Sequence, residues 1–373
     1  MTSPSEALSL IPSRGFADET LRQVAHLDGG GTRFRLRLDN RFGQQPLHVG
    51  EARAARLASG HRVDPTTDTA VRFDGGTEVI VPAGAEIVSD PFVLVAAAGD
   101  DLAVSLYLPG ATGPATYCTA AIATSWVVEG NHVRATSLPD GETVVERFFL
   151  SGIDVEAEPG TRVGVAFGDS LTAGAFTTND ANRRYPNLVN RRLRDGWLVN
   201  QGLAGNRLLT DEIGERGLGR LEHDVLAVPG AQLVVVNLGV NDLGFAGGLG
   251  LPGATTGQPP AVSDLVDGFT ELAERCHAAG LRVLLTTLSP FGGALYPGFD
   301  TPEGREARNE VNAWIRSTAV VDGVADFAAA LGEQEKQDVL RAEFDSGDGI
   351  HPNDSGSRAM ADVIDIASLA VLG

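Results

Sequence analysis

Two rhythms of apolar and polar residues divide the chain. Between Leu21 and Val155, apolar positions come in short runs or alternate with polar ones. Arg33-Phe34-Arg35-Leu36-Arg37-Leu38 alternates charged and apolar residues with a period of two, the pattern of a strand with one buried face. Asp39-Asn40 reads as the turn that ends it. Short β-branched or aromatic runs follow at 71–73, 78–81, 92–95, 102–108 and 144–150. Turn pairs such as Asp74-Gly75, Pro109-Gly110 and Asp140-Gly141 separate many of them. Many short strands with turns between them predict an antiparallel β-sandwich over residues 21–158, preceded by a polar arm at 1–20.

The rhythm changes near Glu156-Ala157-Glu158-Pro159-Gly160. Beyond it, apolar strand-like runs at 163–167, 198–200, 231–238 and 281–287 alternate with helical periods. The run 231–238 is almost continuously apolar, as expected of a parallel strand buried on both faces. Val262, Leu265, Val266, Phe269, Leu272, Ala273 and Cys276 fall on one face of a helix that ends near Gly280. Further helices are predicted at 186–194, 304–318 and 355–370. This alternation predicts an α/β domain with a doubly wound parallel sheet over residues 159–373. The Gly- and Pro-rich stretch 244–260 and the stretch 289–302, with Phe291, Tyr296 and Phe299, follow strand ends, where open α/β sheets place their ligand crevices.

Composition narrows the function. The 29 basic and 49 acidic residues leave a formal charge of −20, which argues against a nucleic-acid partner. The hydrophobic fraction of 43% supports a packed core, and no apolar run reaches the ~18 residues of a membrane span. The one lysine, Lys336, lies in a charged stretch, which argues against Schiff-base chemistry and a Walker-type loop. The two cysteines, Cys118 and Cys276, cannot make a disulfide framework or a cysteine-rich zinc site. His132, His223 and His277 lack ligand spacing, so neither a metal nor a cofactor is expected. The N-terminus does not read as a secretory signal, so a cytoplasmic location is expected, the alternative being a secreted protein whose leader has been removed.

Four segments carry candidate chemistry. In Gly168-Asp169-Ser170-Leu171-Thr172, a serine leaves the end of a strand and enters a turn before a helix. Backbone N–H groups there suit an oxyanion, although a serine at such a turn reads equally as a helix cap. In Asp348-Gly349-Ile350-His351-Pro352, an aspartate three residues before a histidine can fold back and orient its ring as a general base. Taken alone, this is also an ordinary Asp-Gly turn beside a histidine. Gly205, after the second strand of the domain, can offer a backbone N–H, and Asn241, after the third, a side-chain amide. By itself each is an ordinary turn residue.

In combination and in this order, the blocks around Ser170, Gly205, Asn241 and His351 resemble the SGNH (GDSL-type) serine esterase family, from Arg162 onward. The resemblance implies a flavodoxin-like sheet with Ser170 as nucleophile, His351 as general acid and base, and Asp348 as its orienting partner. Gly205 and Asn241 would join the Ser170 N–H in an oxyanion hole. Upstream, Leu21-Arg22-Gln23, Asn40-Arg41-Phe42-Gly43, Pro46-Leu47, Ser89-Asp90-Pro91 and Tyr107-Leu108-Pro109-Gly110 resemble the jelly-roll-like β domain of a two-domain bacterial branch grouped with xylan-associated esterases. Arg184, Phe291 and Tyr296 are candidates to line the cleft, with Arg184 reading otherwise as a solvated arginine. The expected activity is hydrolysis of short acyl esters, such as acetyl, of a carbohydrate or related alcohol. The alternatives are a lysophospholipase or thioesterase with the same triad, and a carbohydrate-binding protein with an inactive hydrolase domain. The expected partner is the ester substrate, and a homo-oligomer stays open.

Overall fold

The structure, a computed structural model, describes residues 13–211, 213–245 and 258–365. These form two compact units that divide between Pro159 and Gly160.

The first unit contains two main antiparallel sheets around one core, with two further two-stranded sheets, Leu47–Val49 with Val79–Val81 and Tyr117–Cys118 with Arg147–Phe148. The larger sheet runs from Glu142–Val144 through Ser125–Glu129, Glu19–His26 and Asp101–Leu108 to Glu51–Ser59, which then pairs with Arg62–Val63 and Thr69–Val71. In the smaller sheet, Gly31–Asn40 lies between Leu150–Val155 on one edge and Ala85–Val88 and Phe92–Ala96 on the other. The period-two pattern is realised on Gly31–Asn40, where Phe34, Leu36 and Leu38 are buried. Leu21, Val104 and Leu106 from the larger sheet share their cluster, so the two sheets bury one core between them.

Three expectations for this unit need correction. Residues 13–20 are not an arm: Phe16 is buried in the core, Ser13 Oγ donates to Ala115 O at 2.5 Å, and Glu19 begins a central strand. Asp39 and Asn40 are not a turn but the buried end of their strand. Asn40 Nδ2 donates to the carbonyls of Gln45, Val81 and Pro82, so its polarity is satisfied inside. The run 144–150 is not one strand. It breaks at the exposed Val145 and again at Phe149, whose φ of 58° cannot continue a strand. The expected arm at 1–12 lies outside the described residues.

The second unit is built on five parallel strands. In chain order they are Arg162–Gly168, Gly196–Gly202, Ala231–Asn237, Arg282–Thr286 and Gly323–Ala325. Their order across the sheet is second, first, third, fourth, fifth. This doubly wound order places its switch point between the first and third strands, beside the turn that carries Ser170. Helix Val262–Ala278 spans the expected segment, with Leu265, Phe269, Leu272 and Cys276 turned into the core. Burial pushes the Cys276 thiol up to about 12, as befits an inert packed side chain.

The other predicted helices are realised as Tyr185–Asn190, Pro302–Ser317 and Asp354–Asp362. Residues 366–370 of the last prediction, and 246–257 of the Gly- and Pro-rich stretch, lie outside the described residues. Among the described residues, no helix is long and apolar enough to cross a membrane.

Candidate active site

The first strand ends at Gly168, and Asp169 caps the short helix Ser170–Ala173 with its carboxylate accepting from Leu171 N at 3.0 Å. Ser170 is therefore the first helical residue, 4% exposed. The second strand ends against the same turn. A Cβ on Gly202 would lie 2.1 Å from the backbone nitrogen of Ala173, so only glycine lets the two backbones meet. Arg220, buried beneath, ties these strand ends together. Its Nη2 donates to Gly168 O at 2.8 Å, its Nη1 to Gln201 O at 3.0 Å, and its Nε to Asn206 Oδ1 at 2.9 Å.

The loops after the second and third strands are stapled to each other. Asn241 Nδ2 donates to Asn206 O at 3.0 Å. The Asp242 carboxylate adds to this staple, accepting from Leu208 N and Leu209 N at 2.7 and 3.0 Å across to the loop that contains Gly205. Gly205 takes a φ of +77°, the left-handed conformation that favours glycine.

Although 181 residues separate them, His351 Nε2 lies 2.9 Å from Ser170 Oγ. The other ring nitrogen, Nδ1, lies 2.6 Å from Asp348 Oδ2. The carboxylate also accepts from the backbone N–H of His351 at 2.8 Å and of Ile350 at 3.1 Å, from Ser346 Oγ at 3.3 Å, and from Tyr296 Oη at 3.2 Å. Partial burial pushes the Asp348 carboxyl up, but the His351 bond and charge and the backbone donors outweigh it and hold the group well below the ordinary carboxylate range. An ionised Asp348 fixes the proton on Nδ1 and leaves Nε2 as the acceptor facing the hydroxyl. Such an arrangement can take a proton from an attacking alcohol and return it to a leaving group.

The three expected cleft residues separate here. Tyr296 is half-buried beside the histidine, its ring centroid 6.2 Å from the imidazole and roughly perpendicular to it, and burial with the nearby Asp348 charge pushes its phenol up to about 12. Phe291 does not line the cleft. It is fully buried and packs edge-on against Phe299 in the core. Arg184 is not a solvated arginine: at 8% exposure, its Nη1 donates to the Oδ1 atoms of Asn182 and Asn187.

Phe176 and Asp354 were not singled out by sequence. Phe176 stacks on the His351 ring, with centroids 4.7 Å apart and planes 25° apart. Asp354 accepts from Thr178 N and Oγ1 and from Arg183 Nη1, joining the loop after the nucleophile turn to the helix that follows His351. Only the Thr-rich Phe176-Thr177-Thr178 stretch marks the first in sequence, and nothing marks the second.

The chain has 16–19% identity to the solved structures of a carbohydrate acetylesterase from Sinorhizobium meliloti, a GDSL-like lipase from Bacteroides thetaiotaomicron and the aryl esterase of M. smegmatis. The first match covers 56% of this chain and 100% of that one at a TM-score of 0.43 and 19% identity. The second covers 57% and 89% at 0.42 and 19%, and the third 56% and 100% at 0.42 and 16%. No match arises among curated protein sequences. The profile of the GDSL-like lipase/acylhydrolase family matches residues 166–359, from within the first strand of the second unit into the last described helix. With more than half of its length inside that match, the chain belongs to the GDSL-like lipase/acylhydrolase family and is a carboxylic ester hydrolase.

Proposed function

We propose that Ser170, His351 and Asp348 act as a catalytic triad and that the enzyme removes short, acetyl-like acyl groups from a carbohydrate or related polar alcohol. The observation that carries this reading is the unbroken line from Asp348 Oδ2 through the imidazole to Ser170 Oγ, with contacts of 2.6 and 2.9 Å. His351 takes the Ser170 proton as Oγ attacks the ester carbonyl. The oxyanion is held by the N–H groups of Ser170 and Gly205 and by the Asn241 amide. Ser170, as the first helical residue, has a backbone N–H without an intrahelical acceptor. Asn241 has two amide hydrogens, one of which serves Asn206 O. His351 then gives its proton to the leaving alcohol, and water releases the acyl group by the same steps in reverse order of roles.

The test is Ser170→Ala assayed on p-nitrophenyl acetate, with mass spectrometry of the wild type after a fluorophosphonate. We expect kcat to fall at least about 10³-fold and the label to sit on Ser170. Full activity in the variant, or a label elsewhere, would overturn the triad. A p-nitrophenyl chain-length series tests the acyl preference, since a strong preference for chains beyond octanoyl favours the lysophospholipase or thioesterase alternative.

A further inference from the structure

The loop 175–184, between the nucleophile turn and helix Tyr185–Asn190, is unusually strained. Phe176, Asp180 and Asn182 all have positive φ, at 67°, 60° and 49°. Asparagine and aspartate tolerate that region, but a bulky aromatic enters it at a cost. Phe176 gains little burial in return, because it is 54% exposed. Strain held for so little burial points to function.

Hydrogen bonds hold the strained residue from both sides. Before it, Ala175 N donates to Ser170 O at 2.9 Å, and after it Thr177 Oγ1 donates to Gly174 O at 2.7 Å. Two residues further on, the Asp354 carboxylate accepts from Thr178 N and Oγ1 at 2.8 and 2.7 Å. The loop is thus anchored to the nucleophile helix at one end and to the helix after His351 at the other. The product of this bracing is one contact: the Phe176 ring laid nearly flat on the imidazole of His351, 4.7 Å away.

Of the exposed large apolar side chains in this unit, Phe176 and Leu295 are the most exposed, at 54% and 73%. Leu295 also sits on a loop tied to the histidine segment, its N–H donating to Asp348 O at 2.9 Å. Of these two, Phe176 is the one whose ring lies against the histidine.

We infer that Phe176 is a specificity-determining residue for the alcohol half of the substrate, favouring esters whose alcohol presents a flat apolar face, an aryl group or a sugar ring. This rests on the triad reading above. His351 Nε2 must protonate the alcohol oxygen as its bond to the acyl carbon breaks, so the alcohol leaves past the imidazole. A ring stacked beside that imidazole, and open to solvent, meets the alcohol and not the acyl chain. Stacking on such a face is worth about a three- to tenfold effect.

Acetate esters of different alcohols all pass through the same acetyl-enzyme, which separates the two halves of the substrate. We would measure kcat/KM for phenyl acetate, an acetylated methyl glycoside and ethyl acetate with wild type, Phe176→Ala, Phe176→Leu and Phe176→Tyr. For Phe176→Ala and Phe176→Leu, the loss on a ring alcohol should exceed the loss on ethyl acetate about three- to tenfold, and Phe176→Tyr should restore it. Which ring ester shows the larger selective loss tells aryl from sugar. Every variant keeps a Cβ at the same φ and the position is 54% exposed, so thermal midpoints should stay close to wild type, and a loss of activity is then not a loss of fold. Equal losses on all three esters would mean that Phe176 only steadies the histidine and would overturn the inference while leaving the triad intact. A fully active Ser170→Ala would overturn both, and a wild type inactive on every acetate would overturn the inference together with the acetyl preference.

Discussion

The carboxyl of Asp169 caps the helix that carries Ser170, and its second oxygen, Oδ2, is buried without a hydrogen-bond partner. Burial is the main force on this group and pushes it up, opposed by the Leu171 N–H and Arg220 and reinforced by the nearby charge of Asp242, to about 7. The consequence is a pH-dependent stability. As pH rises above the ordinary aspartate value of 3.8, the unfolded chain ionises first, while the folded group keeps its proton until about 7. Folding stability therefore falls across that window and levels off above it. Asp169→Asn keeps an acceptor for Leu171 N but cannot ionise. The drop in urea-unfolding free energy between pH 5 and pH 7.5 should be smaller in this variant by about 2 kcal/mol. Equal drops in both proteins would place Asp169 ionised in the fold. Measuring the difference between two pH values matters, because the asparagine brings its own unsatisfied amide at either pH.

At the scale of elements, the candidate site depends on how closely the second strand approaches the nucleophile helix. A methyl group on Gly202 would meet main-chain atoms of Thr172 and Ala173 at 2.1–2.6 Å, and backbone cannot swing aside as a long side chain can. Gly202→Ala should cost about 1–3 kcal/mol of stability, read from the urea midpoint. It should also lower kcat about 10²-fold by displacing Ser170 from its partners. Wild-type stability and turnover in this variant would show that the two backbones do not need to touch. The same scale explains what the sequence reveals. Strands with bulky alternating residues, such as Phe34, Leu36 and Leu38, announce themselves because the period is carried by side chains that must be buried. Glu51–Ser59 does not, although it lies inside its sheet, because Ala and Arg are helix formers and its buried positions, Ala52, Ala54 and Ala55, are small. The segments around Ser170, Gly205, Asn241 and His351 are legible because each has its own local turn chemistry, the first three at or after a strand end and the last in the loop before the last described helix. Phe176 is not, because its meaning lies in a ring 175 positions away along the chain. Arg220 is hidden for a similar reason: its charge suggests the surface, whereas the buried Asp224 carboxylate and the carbonyl ends of two strands satisfy it inside.

At the scale of the whole molecule, each unit has its own apolar cluster, so neither the sandwich core nor the sheet core borrows residues from the other. What the units share is charge. A formal net charge of −20 surrounds the molecule with a negative potential that discourages anionic substrates before any contact is made. A neutral ester, such as an acetylated neutral sugar, does not feel it. This separates two groups of polar alcohols that the candidate site alone treats alike. Raising salt from about 10 to 200 mM shortens the screening length from about 30 Å to below 10 Å. For an acetate ester of a carboxylated alcohol, kcat/KM should then rise about two- to fivefold, while phenyl acetate stays constant. The rise should lie in kcat/KM and not in kcat, because long-range repulsion acts on encounter and leaves the bound complex alone. A salt effect of the opposite sign, with the anionic ester losing rate as salt is added, would mean that arginines near the candidate site, such as Arg183, outweigh the molecule's overall charge and recruit anionic substrates to it.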